Sequence, residues 1–226
     1  MAIGRDRGDQ VVSEIRIYVE GGGKGKDRRA DMREGFSKFL TDVVEAARSR
    51  KVRFSIVASG PRRQAYEDFR RALKDHSQAF NVLLVDSEGP VSYPNEPRAH
   101  LRQFDRWDLS MCAEENCHLM IQMMEAWFLA DVEALAKFYG TEFNSNSIPG
   151  HAYVEQIPKD DVIKALEKAT RGVSNKLGKG PYHKGRHSAE LLQRIGPAKV
   201  CEAAAGCRRL FTMLDQKVGA NIPWLR

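Results

Sequence analysis

Three short segments carry carboxylates where chemistry could be done. Glu20 closes Tyr18-Val19-Glu20-Gly21, Asp86 and Glu88 close Val85-Asp86-Ser87-Glu88-Gly89, and Glu125 follows Met123-Met124. Carboxylates gathered in one place repel one another unless protons or a cation neutralise them. Hard oxygen donors of this kind suit Mg²⁺ or Mn²⁺. A metal so held polarises a phosphate oxygen, and a pair of metals stabilises both the attacking and the leaving oxygen. Phosphodiester hydrolysis or a related phosphoryl transfer is the chemistry to expect. Each carboxylate taken singly also fits a helix N-cap or a turn, so the case rests on their recurrence.

That recurrence needs elements that bring the segments together. Residues 15–19, 54–58 and 82–85 are short runs rich in β-branched and apolar side chains and read as strands. Between them, apolar residues recur at helical spacing over 28–50, and 62–76 has an amphipathic pattern opened by Pro61. A fourth strand is expected at 118–123, then a helix over 126–139 closed by Gly140. Alternating strands and helices favour a parallel sheet covered on both faces. Ligands of such sheets bind beyond the carboxyl ends of the strands. Glu20, Ser59-Gly60, Asp86 with Glu88, and Glu125 would all stand there.

The expected fold class is α/β, Rossmann-like: a parallel sheet of about four strands flanked by helices, with a C-terminal helical extension. Residues 1–13 read as a flexible lead-in, 14–140 as the α/β domain, and 141–226 as an extension packed on it, with helices at 159–170, 187–195 and 206–218.

Basic residues surround the carboxylates in sequence. Lys24 and Lys26 follow Glu20 in a glycine-rich loop, where they could meet a phosphate backbone. The loop is not a Walker A motif, because Glu20 stands where its first glycine belongs and Asp27 where Ser or Thr is required. Ser59, Gly60, Arg62 and Arg63 form a second candidate phosphate site, since N–H groups at a helix start favour anions. Residues 171–189 contain no acid and include Lys184 and Arg186, with His183 and His187 beside them. Lys184 could neutralise transition-state charge and either histidine could move a proton. Trp127 and Phe128 read as core.

The net charge of +6 over 226 residues permits nucleic-acid binding without requiring it. No apolar run approaches the ~20 residues that span a bilayer, and no signal-peptide pattern opens the chain. A cytoplasmic location with no membrane contact is expected. Cys112, Cys117, Cys201 and Cys207 lack the tight spacing of zinc modules and read as reduced thiols.

A strand ending in Glu-Gly, followed two β-α units later by a strand ending in an acidic-x-acidic pair, resembles the Toprim domain of topoisomerases, bacterial primases and OLD-family nucleases. More closely, Tyr18-Val-Glu-Gly21, Leu83-Leu-Val-Asp-Ser-Glu-Gly-Pro90, residues 118–131 and Tyr182-His-Lys-Gly185 are together similar to one prokaryotic domain family of unknown function with Toprim-like affinity, over most of 15–215. The Toprim resemblance implies that Glu20 acts as general acid/base and that Asp86 and Glu88 bind Mg²⁺. The usual pair is Asp-x-Asp; here Glu88 is one methylene longer. The resemblance further implies a DNA or RNA substrate and an ATPase partner in phage defence. Three other readings stay open on sequence: a non-catalytic module with the same fold, a PIN-like nuclease, and a small-molecule phosphohydrolase.

Overall fold

The computed structural model of the protein describes residues 12–23, 25–92, 96–174 and 179–226. Most of the expected lead-in, Lys24 of the glycine-rich loop and Lys176 lie outside the described residues.

Four strands, β1 (Glu14–Glu20), β2 (Arg53–Gly60), β3 (Phe80–Asp86) and β4 (Cys117–Met120), form one parallel sheet in the order β2-β1-β3-β4. The central strands are the most apolar. β3 is buried along nearly its whole length, as a parallel strand covered on both faces must be.

The chain runs outward from β1 to β2 through α1 (Lys26–Phe39) and α2 (Thr41–Ser49). It then returns past β1 to β3 through α3 (Arg62–Asp75) and continues through α4 (Pro97–Asp105) to β4. The order of the strands therefore reverses between β1 and β3. That reversal is where open α/β sheets leave a crevice for ligands.

The remaining helices are α5 (Val132–Tyr139), α6 (Lys159–Thr170), α7 (Lys184–Leu192), α8 (Pro197–Ala203) and α9 (Ala205–Val218). One face of the sheet, with Ile15, Ile17, Val19, Val82 and Leu84, packs on α1, α2 and the C-terminal helices around fully buried Phe36, Phe39, Trp127 and Phe211. The opposite face, with Tyr18, Leu83 and Val85, packs on α3 and α4. The C-terminal third thus shares one core with the sheet.

One contact ties that third to α1 and another braces it internally. Gly35 of α1 lies so close to α7 that a Cβ there would meet the Ala189 carbonyl at 2.9 Å. Glu155 accepts the Gly206 N–H at 3.0 and 3.2 Å and so caps the start of α9, a favourable place for negative charge.

Some expectations need correction. The helix expected over 28–50 is two helices broken at Leu40, whose φ and ψ of −96° and 22° leave the helical region. The fourth strand stops at Met120 rather than 123, because Gln122 takes a φ of +49° and turns the chain. Beyond that turn the chain forms a 3₁₀ stretch, Met124–Ala130, and the α-helix begins only at Val132, where the Asp131 side chain accepts the Ala134 N–H. The helix expected over 187–195 starts earlier, at Lys184. Two helices, α4 and α8, were not anticipated. Both open on proline, at Pro97 and Pro197.

Candidate active site

Glu20 is placed by a shift of register. β1 and β2 pair in step from Glu14 to Val19, and then Glu20 pairs with Gly60 rather than Ser59. Such irregularities re-aim side chains and recur beside functional sites. Beyond it the chain bends into Gly21, Gly22 and Gly23, all at positive φ. The Gly21 N–H donates to the Gly60 carbonyl at 2.9 Å. Gly60 itself has φ +88°, and a Cβ there would strike the Gly23 carbonyl at 2.4 Å. Glycine is required at this crossing.

The exits of β3 and β4 are tied in the same way. The Ser87 N–H donates to the Met120 carbonyl, the Glu88 N–H to the Gln122 carbonyl, and the Gln122 N–H to Ser87 Oγ at 2.9 Å. Glu88 is held in the left-handed region, φ +64°, a conformation that non-glycine residues keep where surrounding structure imposes it.

These exits gather three carboxylates. Glu20, Asp86 and Glu88 each present an oxygen within 4.8 Å of the others. They lie at the bottom or lip of a cleft of about 540 Å³ bounded by Gly21, Gly22, Gly23 and Gly60 on one side and by Lys184, Gly185 and Arg186 of α7 on the other. Met32, Met120 and Met124 supply apolar wall.

Asp86 is almost completely buried, and its Oδ1 accepts the Met124 N–H at 2.8 Å. Burial pushes its carboxyl well above the usual carboxylate range, and Glu20 and Glu125 push the same way, while Lys184 and the Met124 N–H oppose them. Burial also raises Glu20, against the pull of Arg62 and of the Asp86 N–H. Glu88 is exposed and ion-paired with Lys159.

Arg62 stands behind Glu20. Its guanidinium makes a two-pronged bond to Asp105, at 3.2 and 2.6 Å, and donates to the Asp86 carbonyl. It lies 4.9 Å over the Trp107 ring and 3.9 Å from Glu20. Most of its donors are committed to the protein, so it braces the site rather than offering itself to a phosphate.

Glu125 is fully buried. Its Oε1 accepts from Ser188 Oγ at 3.1 Å and Tyr182 Oη at 3.3 Å, and its Oε2 pairs with Lys184 Nζ at 3.1 Å. It stands beside the three-carboxylate group, not within it. The Lys184 ammonium is held above its usual pKa: burial lowers it, and Glu125, Asp86 and Glu20 together outweigh that.

The expected residues therefore divide. Glu20, Gly60, Asp86, Glu125, Lys184 and Arg186 line the cleft. Glu88 completes the carboxylate group at its edge. Ser59 is buried beneath the loop, Lys26 is exposed at the start of α1, and Arg63 is exposed on α3 in an ion pair with Glu67; none of the three lines the cleft. His187 is buried, its Nδ1 accepting from Tyr139 Oη at 3.0 Å and from the His183 N–H at 3.2 Å, which makes it a packing residue. Trp127 and Phe128 are core, as expected. The cysteines form two buried pairs on opposite faces of the sheet and no metal cluster among the described residues.

Sequence reasoning missed Arg28, Tyr182, Ser188 and Lys159. Arg28 Nη1 reaches across the cleft to α7, 3.5 Å from where a Gly185 Cβ would sit. They lie in or beside α1, α6 and α7, and no catalytic motif marks them.

The donor set suits a divalent cation. Glu20, Asp86, Glu88, Glu125 and Asp105 outnumber the cations paired with them, Arg62, Lys159 and Lys184. Oxygens in one octahedral Mg²⁺ or Mn²⁺ shell lie roughly 3–4 Å apart, close to the 4.8 Å within which these three fall.

The model of one family, described as Domain of unknown function (DUF4276), matches residues 19–215. The chain belongs to this family. The match spans every element from the end of β1 into α9 and includes each residue of the carboxylate cluster. No curated protein and no solved structure matches the DUF4276 chain, so neither comparison supplies a Toprim or OLD relative. Among its described residues no helix is long and apolar enough to cross a membrane.

Proposed function

We propose that this DUF4276 protein is a metal-dependent phosphodiesterase acting on nucleic acid, a nuclease in the broad sense. The observation that supports this most is the convergence of Glu20, Asp86 and Glu88 at the β1/β3 reversal of the sheet. Asp86 and Glu88 would hold Mg²⁺ or Mn²⁺ together with Glu20. The bound cation would supply Lewis acidity toward a phosphate oxygen.

The chain's own residues do the rest. Glu20, at the mouth of the glycine loop, accepts or returns the proton of the attacking water. The Lys184 ammonium faces the charge that develops on the phosphoryl oxygens. Arg28 and Arg186 on the cleft wall grip neighbouring phosphates. The methionine wall keeps bulk water from the reacting centre. The resemblance to OLD-family Toprim proteins adds an ATPase partner and a defence role to the proposal.

A second reading has an observation of its own. Each carboxylate already meets a cation or an N–H: Glu88 has Lys159, Glu20 has Arg62, Glu125 has Lys184 and Asp86 has Met124. A non-catalytic module that binds nucleic acid or a partner ATPase would carry such a closed network.

Calorimetric titration of Mn²⁺ and Mg²⁺ into wild type and Asp86→Asn separates the two. Binding by the wild type that vanishes in the variant supports the enzyme, and cleavage of single- and double-stranded DNA and RNA then identifies the substrate. A folded wild type that binds neither metal, with or without nucleic acid, would falsify the enzymatic reading.

A further inference from the structure

A charge buried at zero exposure is costly unless it is paired and hydrogen-bonded. Glu125 meets these conditions unevenly: Oε1 is hydrogen-bonded, whereas Oε2 makes no hydrogen bond among the described residues and is paired only by charge. Its Oε1 is taken by the hydroxyls of Tyr182 and Ser188, and its Oε2 is turned to Lys184. The two hydroxyls come from either side of Lys184 in the chain, one just before α7 and one within it. They fix the carboxylate's rotation, and the carboxylate fixes the ammonium.

The donors on Tyr182 are themselves arranged. Its N–H donates to Thr170 Oγ1 at 2.7 Å, which anchors the segment before α7 to the end of α6. The close crossing of α1 and α7 at Gly35 holds the helix from its other side. Lys184 is thereby held beside Asp86 and Glu20, with its stem in the cleft wall.

We propose that Glu125 is a positioning residue and not a metal ligand: it holds the Lys184 ammonium over the Glu20–Asp86–Glu88 group, where Lys184 meets the substrate phosphate. The proposal rests on the phosphodiesterase reading above and assigns the buried carboxylate of that site. A ligand needs an oxygen free to face the cation. In Glu125, Oε1 is taken by two hydroxyls, while Oε2 makes no hydrogen bond among the described residues and faces the Lys184 ammonium at 3.1 Å, and the residue stands outside the three-carboxylate group. Oriented lysines at such places contribute through charge that appears only in the transition state.

The test uses the full chain, Mn²⁺ and bis(p-nitrophenyl) phosphate as a generic diester. Mn²⁺ affinity is measured by calorimetry for wild type, Asp86→Asn, Glu125→Gln and Tyr182→Phe. Turnover is measured for the same proteins, for Lys184→Met, and for Glu125→Gln combined with Lys184→Met. The expected result is that Glu125→Gln keeps Mn²⁺ affinity within about tenfold while kcat falls about 100-fold at nearly constant KM, as for loss of one transition-state donor. Lys184→Met gives a similar loss, and the double variant is little worse than either, because both act through one ammonium. Tyr182→Phe, the mildest change, lowers kcat several-fold with Mn²⁺ binding intact, and stands in should Glu125→Gln not fold.

Loss of Mn²⁺ binding in Glu125→Gln would make Glu125 a ligand and overturn the proposal. Multiplying losses in the double variant would overturn it too, since the residues would then act separately. If Asp86→Asn binds Mn²⁺ like wild type, or the wild type shows no Mn²⁺-dependent turnover, the phosphodiesterase reading itself fails and takes this assignment with it.

Discussion

The main-chain N–H of Asp86 donates to Oε2 of Glu20 at 3.3 Å, across the gap between the ends of β1 and β3. Residues 66 apart in sequence are thus joined at the point where the sheet changes direction. The bond orients one carboxylate by the backbone of the next, so the spacing of the pair is a property of the sheet and not of flexible side chains.

Glu20→Gln keeps the Asp86 N–H partner, because the amide oxygen still accepts. We expect the variant to fold with stability within about 1 kcal/mol of wild type and to lose metal-dependent hydrolysis by at least about 100-fold. Circular dichroism melting beside a turnover assay checks both halves. A fully active Glu20→Gln would remove Glu20 from the chemistry.

Asp86→Asn removes a buried charge that Glu20 and Glu125 both disfavour. Without metal, the variant is expected to be as stable as wild type or more so at neutral pH. Millimolar Mn²⁺ should raise the melting temperature of wild type and leave the variant unchanged. Thermal shifts with and without EDTA decide it.

Arg62→Lys cannot reproduce the two-pronged bond to Asp105, the donation to the Asp86 carbonyl and the stacking on Trp107 together. A loss of about 2 kcal/mol is expected, less than for a fully buried pair because Arg62 and Asp105 keep some exposure. Urea unfolding gives the value. Unchanged stability would mean that the brace is dispensable.

Gly60→Ala places a methyl group against the Gly23 carbonyl and a side chain at φ +88°. We expect a cost of about 2 kcal/mol and weaker metal binding, since the loop after Glu20 must move to make room. Denaturant unfolding and metal titration on one preparation report both effects.

Glu155, outside the carboxylate cluster, supplies a pH dependence of its own. Burial raises its carboxyl to about 7, against the N–H groups of Gly206, Ala205 and Cys207. A folded-state pKa above the unfolded one contributes stability that is complete below the unfolded value and is lost as pH rises through about 7. Relative to Glu155→Gln, the wild type should therefore lose about 2 kcal/mol between pH 5 and pH 8, after allowance for partial solvent screening. Stability curves of the two proteins at matched pH provide the comparison.

The strand at 82–85 was legible because a parallel strand buried on both faces is continuously apolar, and those at 15–19 and 54–58 because β-branched and aromatic residues concentrate there. With them came the class of fold and the strand exits carrying Glu20, Asp86 and Glu88. The break at Leu40 was not legible: Leu40 is itself fully buried, so the apolar spacing runs through the interruption without a mark. The fourth strand was overdrawn because 121–129 is as apolar as a strand, and only the left-handed Gln122 separates the pieces. Pro97 and Pro197 were visible and do signal helix starts. Their helices were missed because α4 lies in a long, proline-marked stretch to which no element was assigned and α8 fills the short gap between two expected helices. The grouping of Tyr182, Ser188 and Lys184 around Glu125 left no signal of period or motif.

The partners of Glu125 lie 57 and 63 residues further along the chain. A fragment cut after Gly140 would keep every strand and all three clustered carboxylates, yet it would leave the buried Glu125 without Tyr182, Ser188 or Lys184. Such a fragment would have to open that site to water. During synthesis, likewise, the glutamate emerges well before the hydroxyls that receive it, so the cleft cannot be completed until α7 has been made.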